Sequence, residues 1–119
     1  MRVLIVDDDE VAGKAVAWAL GEEGFRTAVV NLGRQVPGMI RHYKPDVLVL
    51  DVSLPDLNGF VVARLVRHDW PDLPIIFATG SLPPEGMEPL SETEFLMKPY
   101  SIEAMVEVIR RLTYRDQHG

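Results

Sequence analysis

The first hydrophobic run of the chain, Val3-Leu4-Ile5-Val6, leads directly into three carboxylates, Asp7-Asp8-Asp9. A short apolar run without polar alternation is typical of a strand that is buried on both faces, as in parallel sheets. Three later apolar runs are also followed by a polar residue: residues 47–50 by Asp51, residues 74–78 by Thr79, and residues 95–97 by Lys98. The carboxyl ends of parallel strands meet in one crevice, where ligands bind, so these side chains are expected to share a site.

Strand-like and helix-like segments alternate along the whole chain. Strands are predicted at residues 2–6, 27–30, 46–50, 74–78 and 94–97. Helices are predicted at about residues 9–21, 34–43, 60–68 and 101–113. The second helix is expected to start late because it contains Pro37-Gly38, and proline fits only the first turn of a helix. This alternation predicts a parallel sheet with helices on both faces and right-handed crossovers.

The helix boundaries and faces carry further expectations. Asp9 is expected to cap the first helix, whose apolar face is predicted to contain Val11, Ala15, Trp18 and Ala19. Residues 80–92 contain three prolines and two glycines, which predict a short or irregular fourth helix. Ser101 is expected to cap the last helix.

Composition limits the class of protein. The 119 residues are 47% apolar and 25% charged, which fits one globular domain, predicted here at residues 1–114 with a polar tail or linker start at 115–119. The formal net charge of −6 argues against direct binding of nucleic acid. Cysteine is absent, so disulfides and thiol sites are excluded. The apolar runs are too short to span a membrane and no signal peptide is recognisable, which favours a soluble cytoplasmic protein.

The side chains expected at the strand ends suit one kind of chemistry. Clustered carboxylates from Asp7, Asp8 and Asp51 repel one another unless a cation lies among them, and Mg²⁺ prefers such oxygen ligands. A carboxylate can also act as a nucleophile and form an aspartyl-phosphate. Lys98 and the metal would neutralise the oxygens of a phosphoryl group, and Thr79 can donate a hydrogen bond to it. The pattern therefore predicts a site for Mg²⁺ and a phosphoryl group.

With these motifs in order, the chain resembles a receiver domain of two-component response regulators over essentially its whole length. The resemblance rests on the acidic pair Asp7-Asp8, the segment from Asp51 to Gly59, Thr79, and the Lys98-Pro99 pair. It implies a flavodoxin-like (βα)5 fold with strand order 2-1-3-4-5. Gly80 and the short, proline-rich stretch that follows it depart from the common pattern of the family.

The resemblance also implies a role for each site residue. Asp51 would accept the phosphoryl group, with Thr79 and Lys98 as its catalytic partners. Mg²⁺ would be held by Asp7 mainly through water, and directly by Asp8, Asp51 and the backbone carbonyl of Ser53. Thr79 and Phe95 would act as the switch residues, and Pro99 would follow a cis peptide bond. The partners implied are a sensor histidine kinase or phosphotransfer protein and a downstream effector protein or domain.

Two other functions fit part of the sequence. Asp7-Asp8-Asp9-Glu10-Val11 also resembles the first motif of haloacid dehalogenase-type phosphatases, in which Asp7 would be the nucleophile and Asp51 would have no role. A degenerate receiver that only binds a partner is the other alternative, suggested by the short fourth helix. The receiver interpretation makes the chain a signalling switch that catalyses only its own phosphorylation and slow dephosphorylation.

Overall fold

The computed structural model describes residues 1–80 and 92–118. The strands are β1 (Arg2–Val6), β2 (Arg26–Val30), β3 (Val47–Asp51), β4 (Ile75–Thr79) and β5 (Thr93–Met97). The helices of the described ranges are α1 (Glu10–Glu22), α2 (Val36–Tyr43), α3 (Gly59–Asp69) and α4 (Ile102–His118), with a 3-10 turn at Gly33–Gln35 before α2. The expected fourth helix falls on residues that lie outside the described ranges, so α4 is the helix predicted to start after Ser101.

The five strands form one parallel sheet in the order β2-β1-β3-β4-β5, which confirms the predicted topology. Strands β3 and β4 lie in the centre, and each of their residues is buried. Both strands end one residue later than predicted, so Asp51 and Thr79 are their last residues. Asp51 and Thr79 therefore stand at the ends of two fully buried strands.

Alternate residues of the central strands pack into two apolar layers, one on each face of the sheet. One layer joins the sheet to α1 and α4, and the other joins it to α2 and α3. Phe77 is among the largest fully buried side chains and belongs to the second layer. Burial on both faces explains why these strands read as continuous apolar runs.

The inward face of α1 differs from the prediction. Val11 and Trp18 are 80% and 71% exposed, so the predicted face, Val11 with Ala15, Trp18 and Ala19, is wrong. The helix instead buries Gly13 and Leu20. A Cβ added to Gly13 would lie 3.1 Å from Cγ1 of Val29, so the small residue lets the helix approach β2 closely. The inward face also contains Val16 and Ala17, so α1 has two apolar sets at helical spacing, and the prediction chose the one that faces outward.

The orientation of α1 gives a direct prediction for stability. Trp18→Ala is expected to change the free energy of unfolding by less than about 0.5 kcal/mol, because the side chain is largely exposed. Leu20→Ala is expected to lower it by about 2–5 kcal/mol, because Leu20 is fully buried in the core. Urea unfolding of both variants measures the difference. A loss in Trp18→Ala that equals the loss in Leu20→Ala would contradict the packing described.

Caps and turns fix the remaining helix ends. The Asp9 carboxylate accepts a hydrogen bond from the amide of Ala12, as predicted, and the Ser101 hydroxyl accepts one from the amide of Ala104. Helix α2 starts at Val36, with Pro37 in its first turn, which confirms the expected late start. Its last turn is followed by Lys44 in the left-handed conformation, at φ 54°.

The last helix is longer than predicted. It continues to His118, where a polar tail was expected from Arg115 onward. The extension follows from local chemistry, because the segment 115–118 contains neither glycine nor proline to end a helix. In the described ranges, none of the helices combines the length and the hydrophobicity needed to cross a bilayer.

Candidate phosphoacceptor and metal site

The strand register brings the predicted site residues to one edge of the sheet. Val6 pairs with Leu50, so Asp7 and Asp51 leave adjacent strands at the same level. Asp51 in turn pairs with Ala78, the residue before Thr79. Because Thr79 pairs with Met97, Lys98 follows directly on the next strand. The four positions thus follow from parallel pairing alone.

Three carboxylates form the acidic part of this site. One ligand oxygen each from Asp7, Asp8 and Asp51 lies within 4.8 Å of the others. Asp7 and Asp51 are only 6% and 7% exposed, whereas Asp8 is exposed. Buried like charges at this spacing repel one another strongly, so the cluster favours a bound cation.

Lys98 supplies the positive charge of the site. Its Nζ donates a hydrogen bond to Oδ2 of Asp51 at 3.2 Å and lies 3.8 Å from Oδ2 of Asp7. Burial opposes the charged ammonium, but the hydrogen bond and the charge of Asp51, with that of Asp7, outweigh it and raise the pKa of Lys98. The ammonium therefore remains charged beside the carboxylates at neutral pH.

The surroundings of Asp7 disfavour the charged form of its carboxylate. Burial raises the pKa of Asp7, and the charges of Asp51 and Asp8 add to the effect. The backbone amide of Asp9, 2.9 Å from Oδ1 of Asp7, and the Lys98 ammonium act in the opposite direction without cancelling it. The free energy of the charged form of Asp7 is therefore raised by its surroundings, and a bound cation would lower it.

The loop of residues 52–58, called the Asp51 loop because it follows Asp51, is held in shape by hydrogen bonds from backbone amides. The amide of Ser53 donates to Oδ1 of Asp51 at 3.1 Å, and Ser53 forms an isolated bridge with Asn58. The amide of Gly59 donates to the carbonyl of Val52 at 2.8 Å. A Cβ on Gly59 would lie 2.7 Å from Cα of Val52 and closer still to the Asp51 carbonyl oxygen. Only glycine allows α3 to start this close to the end of β3.

The two predicted switch residues occupy neighbouring strands. Thr79 is buried at the end of β4. Phe95 on β5 is half-buried, with its ring 5.1 Å from that of Phe77 and 6.1 Å from that of Phe60. This aromatic contact connects β5 to the first turn of α3, directly after the Asp51 loop.

A cis peptide bond joins Lys98 to Pro99, the geometry that the resemblance implies. Tyr100 follows, and burial raises the pKa of its phenol. An open depression of about 550 Å³ lies between this segment and α1, with Asp7 and Lys98 in its wall. The acidic cluster is therefore reachable from the side of α1.

Sequence reasoning missed the contacts of two residues that shape the site. Asn58 caps α3, since its side chain accepts from the amide of Phe60 at 2.8 Å, and an asparagine before a helical run could have predicted this cap. Asp56 accepts hydrogen bonds from the amides of Gly33 and Arg34, more than twenty residues away. No local sequence pattern predicts a contact between residues so far apart in the chain.

Comparison with known proteins gives the family. The model of the response regulator receiver domain matches residues 3–110. The chain is 35% identical over 119 residues to the "Probable transcriptional regulatory protein TcrX" of Mycobacterium tuberculosis, with 97% of this chain and 50% of that protein aligned. It is 32% identical over 120 residues to the "DNA-binding response regulator MtrA" of Mycolicibacterium smegmatis, covering 98% of this chain and 52% of that protein.

A solved structure agrees with the fold. The BeF3-activated N-terminal receiver domain of Klebsiella pneumoniae RstA superimposes with a TM-score of 0.84 at 23% identity, over 95% of this chain and 98% of that chain. The chain therefore belongs to the response regulator receiver family, and it is a receiver domain of two-component signalling, a signalling switch. It spans about half the length of the two relatives. The phosphatase and the degenerate receiver are not favoured by these matches.

Proposed function

We propose that this receiver domain takes a phosphoryl group onto Asp51. One Oδ of Asp51 attacks the phosphorus of a phosphohistidine, a P–O bond forms, and the P–N bond breaks so that its electron pair leaves with the imidazole. Hydrolysis of the acyl phosphate would later return the carboxylate and release inorganic phosphate. The hydrogen bond from Lys98 to Asp51, beside the acidic cluster, is the observation that carries this proposal.

The residues present fit a magnesium ion. One carboxylate oxygen each from Asp7, Asp8 and Asp51 lies within 4.8 Å of the others, and Mg²⁺ prefers such oxygen ligands while it keeps several waters. We assign Asp8, Asp51 and the backbone carbonyl of Ser53 as direct ligands, and Asp7 as a ligand mainly through water. The ion would supply charge neutralisation for the phosphoryl oxygens. The raised pKa of Asp7 supports this assignment, because a cation stabilises the charged form.

The lysine and the threonine have separate proposed roles. Lys98 already reaches Asp51, so its ammonium can move onto a phosphoryl oxygen with little rearrangement. Thr79 would donate its hydroxyl proton to another phosphoryl oxygen. Phe95 would respond to that movement, because it packs on the strand next to Thr79 and against α3. Phosphorylation would thereby shift an equilibrium between two conformations.

The partners follow from this chemistry. A sensor histidine kinase or a phosphotransfer protein would supply the phosphoryl group in the cytoplasm, and an effector protein or domain would read the switch. MtrA is named as a DNA-binding protein, which describes that longer relative. Within the chain described here, a net charge of −6 argues against contact with a phosphate backbone, so any such contact is assigned to another domain.

The proposed function is tested by labelling the wild-type protein. With acetyl phosphate and Mg²⁺, we expect one phosphorylated species on a Phos-tag gel, and we expect none with EDTA. Borohydride reduction of the acyl phosphate followed by mass spectrometry should place the label at Asp51. A label at Asp7 would support the phosphatase alternative, and no label in the presence of Mg²⁺ would support a degenerate receiver.

Loss of Asp8 is expected to weaken Mg²⁺ binding. Asp8→Ala should lower the affinity by about 10–100-fold, because a direct oxygen ligand is removed. Calorimetry or the fluorescence of the two tryptophans measures the binding. Glu10→Ala is the matched control, since Glu10 is an exposed acidic residue nearby that pairs with Lys14. If both variants bind Mg²⁺ as the wild type does, the ligand assignment is wrong.

A further inference from the structure

The loop of residues 52–58, which follows Asp51 and carries Ser53, is anchored at two places. At its base, the Ser53–Asn58 bridge and the bond from Gly59 to Val52 close the loop on itself. These contacts leave the four residues between Ser53 and Asn58 as an exposed or half-buried apex. The second anchor lies on that apex and reaches a different part of the chain.

That second anchor is the carboxylate of Asp56. Its Oδ1 accepts a hydrogen bond from the amide of Gly33 at 2.8 Å, and its Oδ2 accepts one from the amide of Arg34 at 2.9 Å. These two amides belong to the 3-10 turn before α2, where backbone donors lack partners within the helix. Both oxygens of one carboxylate thus hold two successive amides in a fixed orientation.

Packing reinforces the hydrogen bonds. A Cβ added to Gly33 would lie 2.8 Å from Cγ2 of Val62 and 3.2 Å from Cβ of Leu57. The turn therefore rests directly on the loop apex and on α3. A movement of the apex away from its place would break the two hydrogen bonds and open this contact together.

We propose that Asp56 is a positioning residue, which ties the Asp51 loop to the turn at Gly33–Gln35 and so prearranges the Ser53 carbonyl for the metal. The inference rests on the proposed function, because it concerns the same magnesium site. Mg²⁺ demands near-ideal ligand geometry, so a loop already held in place binds it more tightly than a loop that must be ordered on binding. Outer residues that orient metal ligands affect affinity in the same manner.

Two variants of Asp56 distinguish the loss of its hydrogen bonds from the loss of its negative charge. Asp56→Ala removes both acceptors, whereas Asp56→Asn removes the same charge but keeps one carbonyl acceptor. We expect Mg²⁺ affinity, measured by calorimetry, to fall by about tenfold in Asp56→Ala and by a smaller factor in Asp56→Asn. Asp72→Ala is the control, since it removes an exposed carboxylate and is expected to leave affinity unchanged. Equal losses in the Ala and Asn variants would mean that charge alone acts, and would overturn the proposal.

Amide hydrogen exchange supplies a readout that does not depend on phosphorylation. In the wild type, the amides of Gly33 and Arg34 should exchange more slowly when Mg²⁺ is added, because the ion and the anchor order the same loop. In Asp56→Ala both amides should exchange fast, with no response to Mg²⁺. A variant that unfolds at lower temperature but binds Mg²⁺ as tightly as the wild type would show a merely structural role and refute the inference.

The two proposals fail in different ways. If the wild type binds no Mg²⁺ and is not labelled, the proposed function and this inference both fall. If the wild type binds Mg²⁺ and is labelled, and both Asp56 variants bind the ion with unchanged affinity, only this inference falls. Should Asp56→Ala not fold, Asp56→Asn alone decides, since unchanged affinity and an unchanged exchange response in that variant would contradict the anchor.

Discussion

Asp51→Asn is expected to abolish labelling by acetyl phosphate, with a loss of at least about 10³-fold in the initial rate. The amide keeps the size of the side chain but has no carboxylate oxygen to attack phosphorus. It also loses the negative partner that Lys98 contacts at 3.2 Å. Gel mobility over a time course, calibrated with the wild type, measures the rate.

Asp7→Asn is the matched comparison for that experiment. It removes a buried carboxylate from the same cluster, and we expect slower labelling through a metal site weakened by about 10–100-fold, with the label still on Asp51. Asp69→Asn, at the end of α3, removes an exposed carboxylate and should label as the wild type does. Undiminished labelling of Asp51→Asn would show that another residue is the phosphoacceptor.

Gly59→Ala is expected to lower the free energy of unfolding by about 3 kcal/mol, which corresponds to roughly 10 °C in Tm for a domain of this size. The added Cβ would press on backbone atoms of Asp51 and Val52, and backbone cannot rotate away as a flexible side chain can. Relief requires that β3 and the start of α3 move apart. The same movement would displace Asp51, so the labelling rate should fall as well.

Gly21→Ala provides the control for this substitution. Gly21 lies in α1, and an added Cβ would meet nothing within 4 Å. Alanine is the better helix former, so the free energy of unfolding should rise by about 0.5–1 kcal/mol. Thermal and urea unfolding of the two variants give the comparison. A Gly59→Ala variant as stable as Gly21→Ala would contradict the contact between α3 and β3.

The sheet and the core of the site could be predicted because their signals are local and strong. Each central strand is a continuous apolar run, and parallel pairing then carries Asp7, Asp51, Thr79 and Lys98 to one edge. The face of α1 could not be chosen in this way, because two apolar sets repeat along it at helical spacing. The set that packs on the core contains Val16, Ala17 and Leu20. Spacing does not distinguish the two sets, and the close approach of Gly13 to β2 is a tertiary contact that the sequence pattern does not show.

The anchor at Asp56 illustrates a second reason for what sequence reasoning misses. An aspartate in a loop with proline and asparagine is compatible with a simple turn. Its actual partners are the backbone amides of Gly33 and Arg34. Every residue except proline has a backbone amide, so the sequence does not show which amides will be bound. Recognition of a backbone amide by a distant carboxylate can be found only when both loops are placed in space.

The site has a consequence for the order in which this chain folds. The hydrogen bond from Lys98 to Asp51 joins residues 47 positions apart, and the pairing of β1 with β3 closes another long loop. Contacts of such separation form only after the entropy of loop closure has been overcome, so they belong to the late, cooperative part of folding. During synthesis, β5 emerges after the other four strands of the described sheet, and Lys98 follows it directly. The contact between Lys98 and Asp51 can therefore form only when the sheet is nearly complete, so the proposed site depends on the whole described sheet.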